Sequence, residues 1–172
     1  MFQTIIRDTL GSGIPGEFAY TGPRRVKPGF IAAAAIAANC VIGRFFTKNV
    51  ATGELSPGGA IADGVTIFGG ILGFPKEHVS FGTLGDPFSA TLALPPGAKG
   101  DFIEMGEPFV FVNNVCKRGD LLAYELTTGK IYAYSEGTDP AAGQALIPNA
   151  VVSGMNFNSA AGGSVVIVTL TN

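Results

Sequence analysis

Side chains that do chemistry are scarce in this chain. Among its 172 residues there is one histidine, His78, two cysteines and no tryptophan, and only 14% are charged. Soluble domains usually carry about a quarter charged residues. Each shortage closes off a class of function. Any Ser-His-Asp or Cys-His arrangement would have to use His78, whose neighbours Lys76, Glu77, Val79 and Ser80 form no catalytic signature. The carboxylates are scattered singly, so no metal site is expected around it. No Lys/Arg cluster runs beyond Arg24, Arg25 and Lys27, and a nucleic-acid partner wants a basic stripe. Cys40 and Cys116 lack CxxC spacing, which argues against zinc and a disulfide framework and for two reduced, part-buried thiols.

What is present is apolar. Hydrophobic residues make 47% of the chain and mean hydropathy is +0.36. No run reaches the roughly 20 apolar residues of a membrane span. The surplus is therefore expected in the chain's own core or against other protein, which suits an assembly component better than an enzyme. The stretch from Arg24 through Ala32–Ala38 to Cys40 mimics a secretory leader with a lipoprotein cysteine. It is too short and Ala-rich to span, and Asn39 misfits the position before the cysteine, so neither export nor lipidation is expected.

Other local patterns have plainer readings. Gly11-Ser12-Gly13 and Gly58-Gly59 lack the Gly-Lys-Ser/Thr ending of a phosphate loop and read as turns. Arg118-Gly119-Asp120 spells an integrin tripeptide but reads as the turn entering a strand. Glu104 and Glu107 would face opposite ways in a strand, with Gly106 and Pro108 breaking the geometry a glycosidase pair needs.

Glycine (25) and proline (11) are spread along the chain, the punctuation of short strands and tight turns. The expected fold is all-β: a sandwich, jelly roll or irregular barrel of about eight to ten strands, with an extended N-terminal arm over residues 1–29 and one β domain over 30–172. A short strand is expected at 17–20, and one or two helical turns in the alanine run. Asn39–Thr47, with Val41, Ile42, Phe45 and Phe46, reads as a strand broken at Gly43, and 48–64 as a polar loop. Val65–Phe74 reads as a strand buried on both faces with a bulge at Gly69-Gly70. Strands follow near His78–Phe81, at Phe88–Leu94, Asp101–Met105 and Phe109–Val112. A hairpin joins 120–125 to 130–134, and 146–157 pairs with 164–170.

Several stretches, in order, resemble the cement or decoration proteins of tailed-bacteriophage heads. They are Gly13-Ile14-Pro15-Gly16-Glu17-Phe18-Ala19, Val41-Ile42-Gly43-Arg44-Phe45-Phe46-Thr47, Ile71-Leu72-Gly73-Phe74-Pro75-Lys76-Glu77, Glu104-Met105-Gly106, Gly119-Asp120-Leu121, Ile147-Pro148-Asn149-Ala150 and the β-rich Val165–Leu170. The resemblance spans most of the chain. It implies a β-rich protein added to the outside of a capsid, bridging neighbouring subunits of the major capsid protein and strengthening the shell. It implies no catalysis and no cofactor.

The apolar residues of the arm, Phe2, Ile5, Ile6, Leu10 and Ile14, cannot form a core of their own and are the expected partner contacts. A homodimer or homotrimer is expected, with neither nucleic acid nor membrane as partner. The expected location is the outer surface of the virion, after synthesis in the host cytoplasm. Rival readings are a head-fibre or tail accessory domain, a carbohydrate-binding sandwich presenting a tyrosine row, and a hydrolase built on His78.

Overall fold

The computed structural model describes residues 13–74, 93–154 and 163–172. Phe2, Ile5, Ile6, Leu10, His78, the strand expected near 78–81 and most of the one expected at 88–94 lie outside them. The fold is all-β, with ten strands among the described residues: β1 Arg25–Phe30, β2 Phe45–Asn49, β3 Leu55–Pro57, β4 Thr66–Leu72, β5 Lys99–Gly106, β6 Phe109–Val112, β7 Leu121–Glu125, β8 Ile131–Tyr134, β9 Gln144–Val152 and β10 Ser164–Thr171.

Two rings of strands share this sheet. In the first, β10, β6, β8, β7 and β9 pair in sequence, and β9 returns to β10. β5 and β6 lie end to end along one edge of β10 in a single register, Leu170 opposite Gly106 and Ile167 opposite Phe109. The parallel contact of β6 with β8 is one residue pair long, Val112 with Ile131. Two asparagines extend it: Asn113 Nδ2 donates to the Ile131 carbonyl, and the Asn114 amide both donates to the Ala133 carbonyl and accepts its N–H. The second ring runs β1–β5–β4–β2–β3 and closes by a single parallel bridge, Ile31 with Leu55.

The fold has two cores, because neighbouring apolar residues on β2, β4 and β5 of the second ring point opposite ways, one into that ring and one toward the first. Phe45, Ile71 and Ile103 enter the first core, with Tyr124, Val166 and Leu170. Phe46, Leu72 and Phe102, each adjacent in sequence to one of those three, enter the second, with Ile31, Cys40, Ile42, Leu55 and Leu94. The unbroken apolar run ending β4 follows directly. Its beginning differs from expectation: Val65 and Ile67 are exposed, since no core lies beneath the start of β4.

The bulge falls where the glycine pair predicts. Phe46 faces Gly70 and Thr47 faces Phe68, leaving Gly69 as the extra residue. Gly70 has φ +109°, and a Cβ there would lie 2.7 Å from the Ile103 carbonyl oxygen. Two local readings are revised: Arg25–Phe30, all but its last residue read as extended arm, pairs with β5, and the expected polar loop contains β3. The alanine run yields one helical turn, of the 3-10 kind, at Ala37–Asn39, within the one or two expected. β1 and β3 each hold a proline, and β1 buries none of its side chains fully, so the apolar run that marks a core strand is absent from both.

Candidate functional site

The segment leading to the arm is fastened to the body. Phe18 bridges Pro108, the Phe109 N–H donates to the Glu17 carbonyl at 2.7 Å, and the Gly16 N–H donates to the Phe109 carbonyl at 2.8 Å. The Phe74 N–H donates to Gly16 as well. Residues 13–19 thus fill the gap between β5 and β6, with the strand-like pairing expected near Glu17–Tyr20. Ile14, the one expected partner contact among the described residues, is 42% exposed.

β1 forms an outer edge. Its pairing with β5 shifts between Arg25 opposite Met105 and Val26 opposite Ile103, so Glu104 is the extra residue of a bulge. The largely buried Glu104 carboxylate takes both Arg25 Nε at 2.8 Å and Lys27 Nζ at 2.9 Å. The two cations remain about half exposed, at 46% and 57% of their side chains. Alternation puts Val26, Pro28 and Phe30 on the opposite face, beside Ile103, Asp101 and Lys99. There a cleft of about 700 Å³ opens, lined by Phe18, Tyr20, Arg24, Val26, Phe74 and Asp101 among others. The Arg24 guanidinium lies over the Phe18 ring, 5.3 Å from its centroid.

A shallower groove follows β9. Between Leu146 opposite Ala123 and Val151 opposite Leu121, β9 bulges: Ile147 and Ala150 stay buried in the first core while Pro148 and Asn149 are exposed. Asn149 adopts φ +49°, a conformation asparagine tolerates. Asn172 fixes it, donating from Nδ2 to the Pro148 carbonyl at 2.8 Å and accepting from Asn149 Nδ2. Exposed apolar side chains stand elsewhere in small groups: Val50 and Val65, joined by a backbone hydrogen bond, with Ile67 beside them, and separately Phe111 and Val115.

Reactive groups are not brought together. No group of three His, Cys, Asp or Glu residues able to hold a metal exists among the described residues. Asp120 is turned inward, accepting from the Lys117 N–H at 2.7 Å and from Ser135 Oγ, so the Arg-Gly-Asp tripeptide does not display its carboxylate. Glu107 accepts from Thr169 Oγ1, away from the cations that hold Glu104. Cys40 and Cys116 are buried in different cores, and burial pushes both thiols above their ordinary pKa. Among the described residues no helix is long and apolar enough to cross a membrane.

Edges, grooves and single exposed apolar side chains, without a gathered reaction centre among the described residues, define a β-built binding body. The comparisons with known proteins then give the family. The model of the family described as "Structural cement protein (E217 gp24/Pam3 gp6)" matches residues 2–171, and the chain belongs to that family. It is a bacteriophage capsid cement protein, a structural component whose partners are capsid proteins and whose place is the virion. A chain of the solved structure titled "The capsid of Myoviridae Phage XM1" has the same fold, with TM-score 0.63 and 16% identity over 99% of this chain and 98% of that one. No curated protein matches.

Sequence reasoning missed the β1 edge, its Glu104 bulge and the adjoining cleft. A signal was present: Arg25-Val26-Lys27-Pro28-Gly29-Phe30 alternates strictly up to the proline, and proline inside a strand marks an edge.

Proposed function

We propose that the protein binds the outer surface of a phage head, bridges neighbouring copies of the major capsid protein and stabilises the shell without catalysing a reaction. The family match carries this reading. The anchoring of residues 13–19 supports its geometry: the body holds the root of an arm whose apolar residues Phe2, Ile5, Ile6 and Leu10, with Ile14, lie across a neighbouring subunit. Each such side chain gains about 1.5–3 kcal/mol on full burial. Repetition over a lattice multiplies modest contacts through avidity. The protein is made in the host cytoplasm, self-associates as a dimer or trimer, and takes neither nucleic acid nor membrane as partner.

The test uses shells assembled without the protein. Full-length protein should bind them and raise the temperature at which they rupture, and electron microscopy should show it outside. A chain lacking residues 2–12 should stay folded but lose most of that binding. Density inside the shell, or equal binding by the truncated chain, overturns the corresponding part.

A further inference from the structure

We infer that the outer edge of β1 receives an extended, carboxylate-bearing segment of the capsid protein, added to this sheet as a further strand; this rests on the capsid-docking reading above. The Gly73 N–H donates to the Asp101 carbonyl at 2.7 Å, so Asp101 directs its backbone toward the β4 side and its pairing with Pro28 on β1 is non-hydrogen-bonded. Lys27 and Gly29 therefore pair inward with β5, while Val26, Pro28 and Phe30 direct their backbone groups outward. Val26 presents an N–H and a carbonyl, Pro28 a carbonyl alone and Phe30 an N–H, its carbonyl lying at the bridge to Leu55. Among the described residues no strand lies along Val26–Pro28, and at its far end the same edge meets β3, where the Ala32 N–H donates to the Leu55 carbonyl. The edge is short, bounded and exposed, with Phe30 61% accessible.

Charge selects the occupant. Arg24, Arg25, Lys27 and Lys99 stand about the edge and its cleft against Glu17, Asp101 and Glu104, a local excess of one cation in a chain of net charge -2. A second copy pairing its own β1 antiparallel here would set Pro28 against Pro28 and bring the cations of both copies together. A segment with carboxylates on the Arg25–Lys27 face is attracted instead. Its alternate side chains fall on the other face, toward the cleft beside Val26, Phe18 and Tyr20.

The experiment measures binding of the full chain to shells assembled without it. Phe30→Pro removes an outward N–H while keeping the β1–β5 ladder, and should weaken binding about fivefold to tenfold. The double variant Arg24→Glu/Lys99→Glu changes side-chain charge and removes no backbone hydrogen bond of the β1–β5 ladder. It should weaken binding at least as much and flatten its salt dependence. Circular dichroism checks both for folding; if Phe30→Pro fails to fold, the charge variant alone decides. Wild-type protein that binds shells while the folded variants bind equally well overturns this inference and leaves capsid docking standing. Variants that lose self-association but keep shell binding show the edge to be a seam between copies, which also overturns it. Wild-type protein that does not bind removes the docking reading and this inference with it.

Discussion

The two cores share β2, β4 and β5 but are closed by different means. Around the first, strands pair all the way round, and side-chain amides reinforce the one short junction. Around the second, closure rests on the Ile31–Leu55 bridge and the bond from the Ala32 N–H to Leu55. The irregular segment carrying Cys40 and Ile42 completes it. A core held by few long-range bonds opens at lower free energy than one enclosed by continuous ladders. The strand offered to a partner, β1, belongs to the more weakly closed ring. Docking there would tighten that ring, since whatever binds the closed form stabilises it.

Adjacent phenylalanines separate the two cores most sharply. Phe45→Ala should cost about 3–5 kcal/mol, because its ring stacks 4.0 Å from that of Tyr124 in the first core, and the whole chain should unfold at lower urea. Phe46→Ala, which loses the edge contact with Phe102, should instead release amides around Ile31–Gly43 first, while β7 and β10 keep their hydrogen-exchange protection. Simultaneous loss of protection everywhere would make the cores a single cooperative unit. Next in size is Gly70→Ala, at the bulge that both cores depend on. Its φ and the nearby Ile103 carbonyl should make it cost about 2–3 kcal/mol in a chemical denaturation series.

The thiols give a pH-based comparison. Both have folded-state pKa values raised by burial above the ordinary 9.0. An unfolded thiol therefore ionises first as pH rises, so the stability contributed by the buried neutral form is complete below pH 9 and declines above it. Urea midpoints should hold from pH 7 to 9 and then fall, with Cys40→Ala and Cys116→Ala each removing part of the fall. If opening of the second core is local, a thiol reagent should modify Cys40 faster than Cys116. The smallest effect is expected at Arg44. Its guanidinium donates to Asn39 Oδ1 at 3.1 Å and the Thr128 carbonyl at 3.3 Å, tying the cover of the second core to the β7–β8 turn. Arg44→Ala should cost about 1 kcal/mol and speed labelling of Cys40 alone.

Fold class and most of the first ring were legible in the sequence. The β7–β8 hairpin, the β9–β10 pair and the glycine bulge have local signatures: alternation, turn residues and a paired glycine. The division into two cores has none. Phe45-Phe46, Ile71-Leu72 and Phe102-Ile103 read simply as apolar neighbours, and only the closure of each ring reveals that their members part company. β1 escaped because its pairing is set by β5, over seventy residues away, rather than by its own composition. Of the expected partner contacts only Ile14 falls among the described residues, exposed beside an anchored turn.

The position of β10 has a consequence for when this chain can fold. Ser164–Thr171 pairs with β5, β6 and β9, and without it the first ring has no closing strand. During synthesis these residues emerge after every other strand. Phe18 must await Pro108, and the β5–β6 line must await its backing strand. The pairings among β1 to β5 and of β7 with β8 and β9 can form before β10 is available, whereas the first ring cannot close. Its closure is a late event, dominated by contacts distant in sequence, which makes folding slow. Apolar surface of the first core stays uncovered in the interval, leaving the chain most prone to aggregate before β10 locks into place.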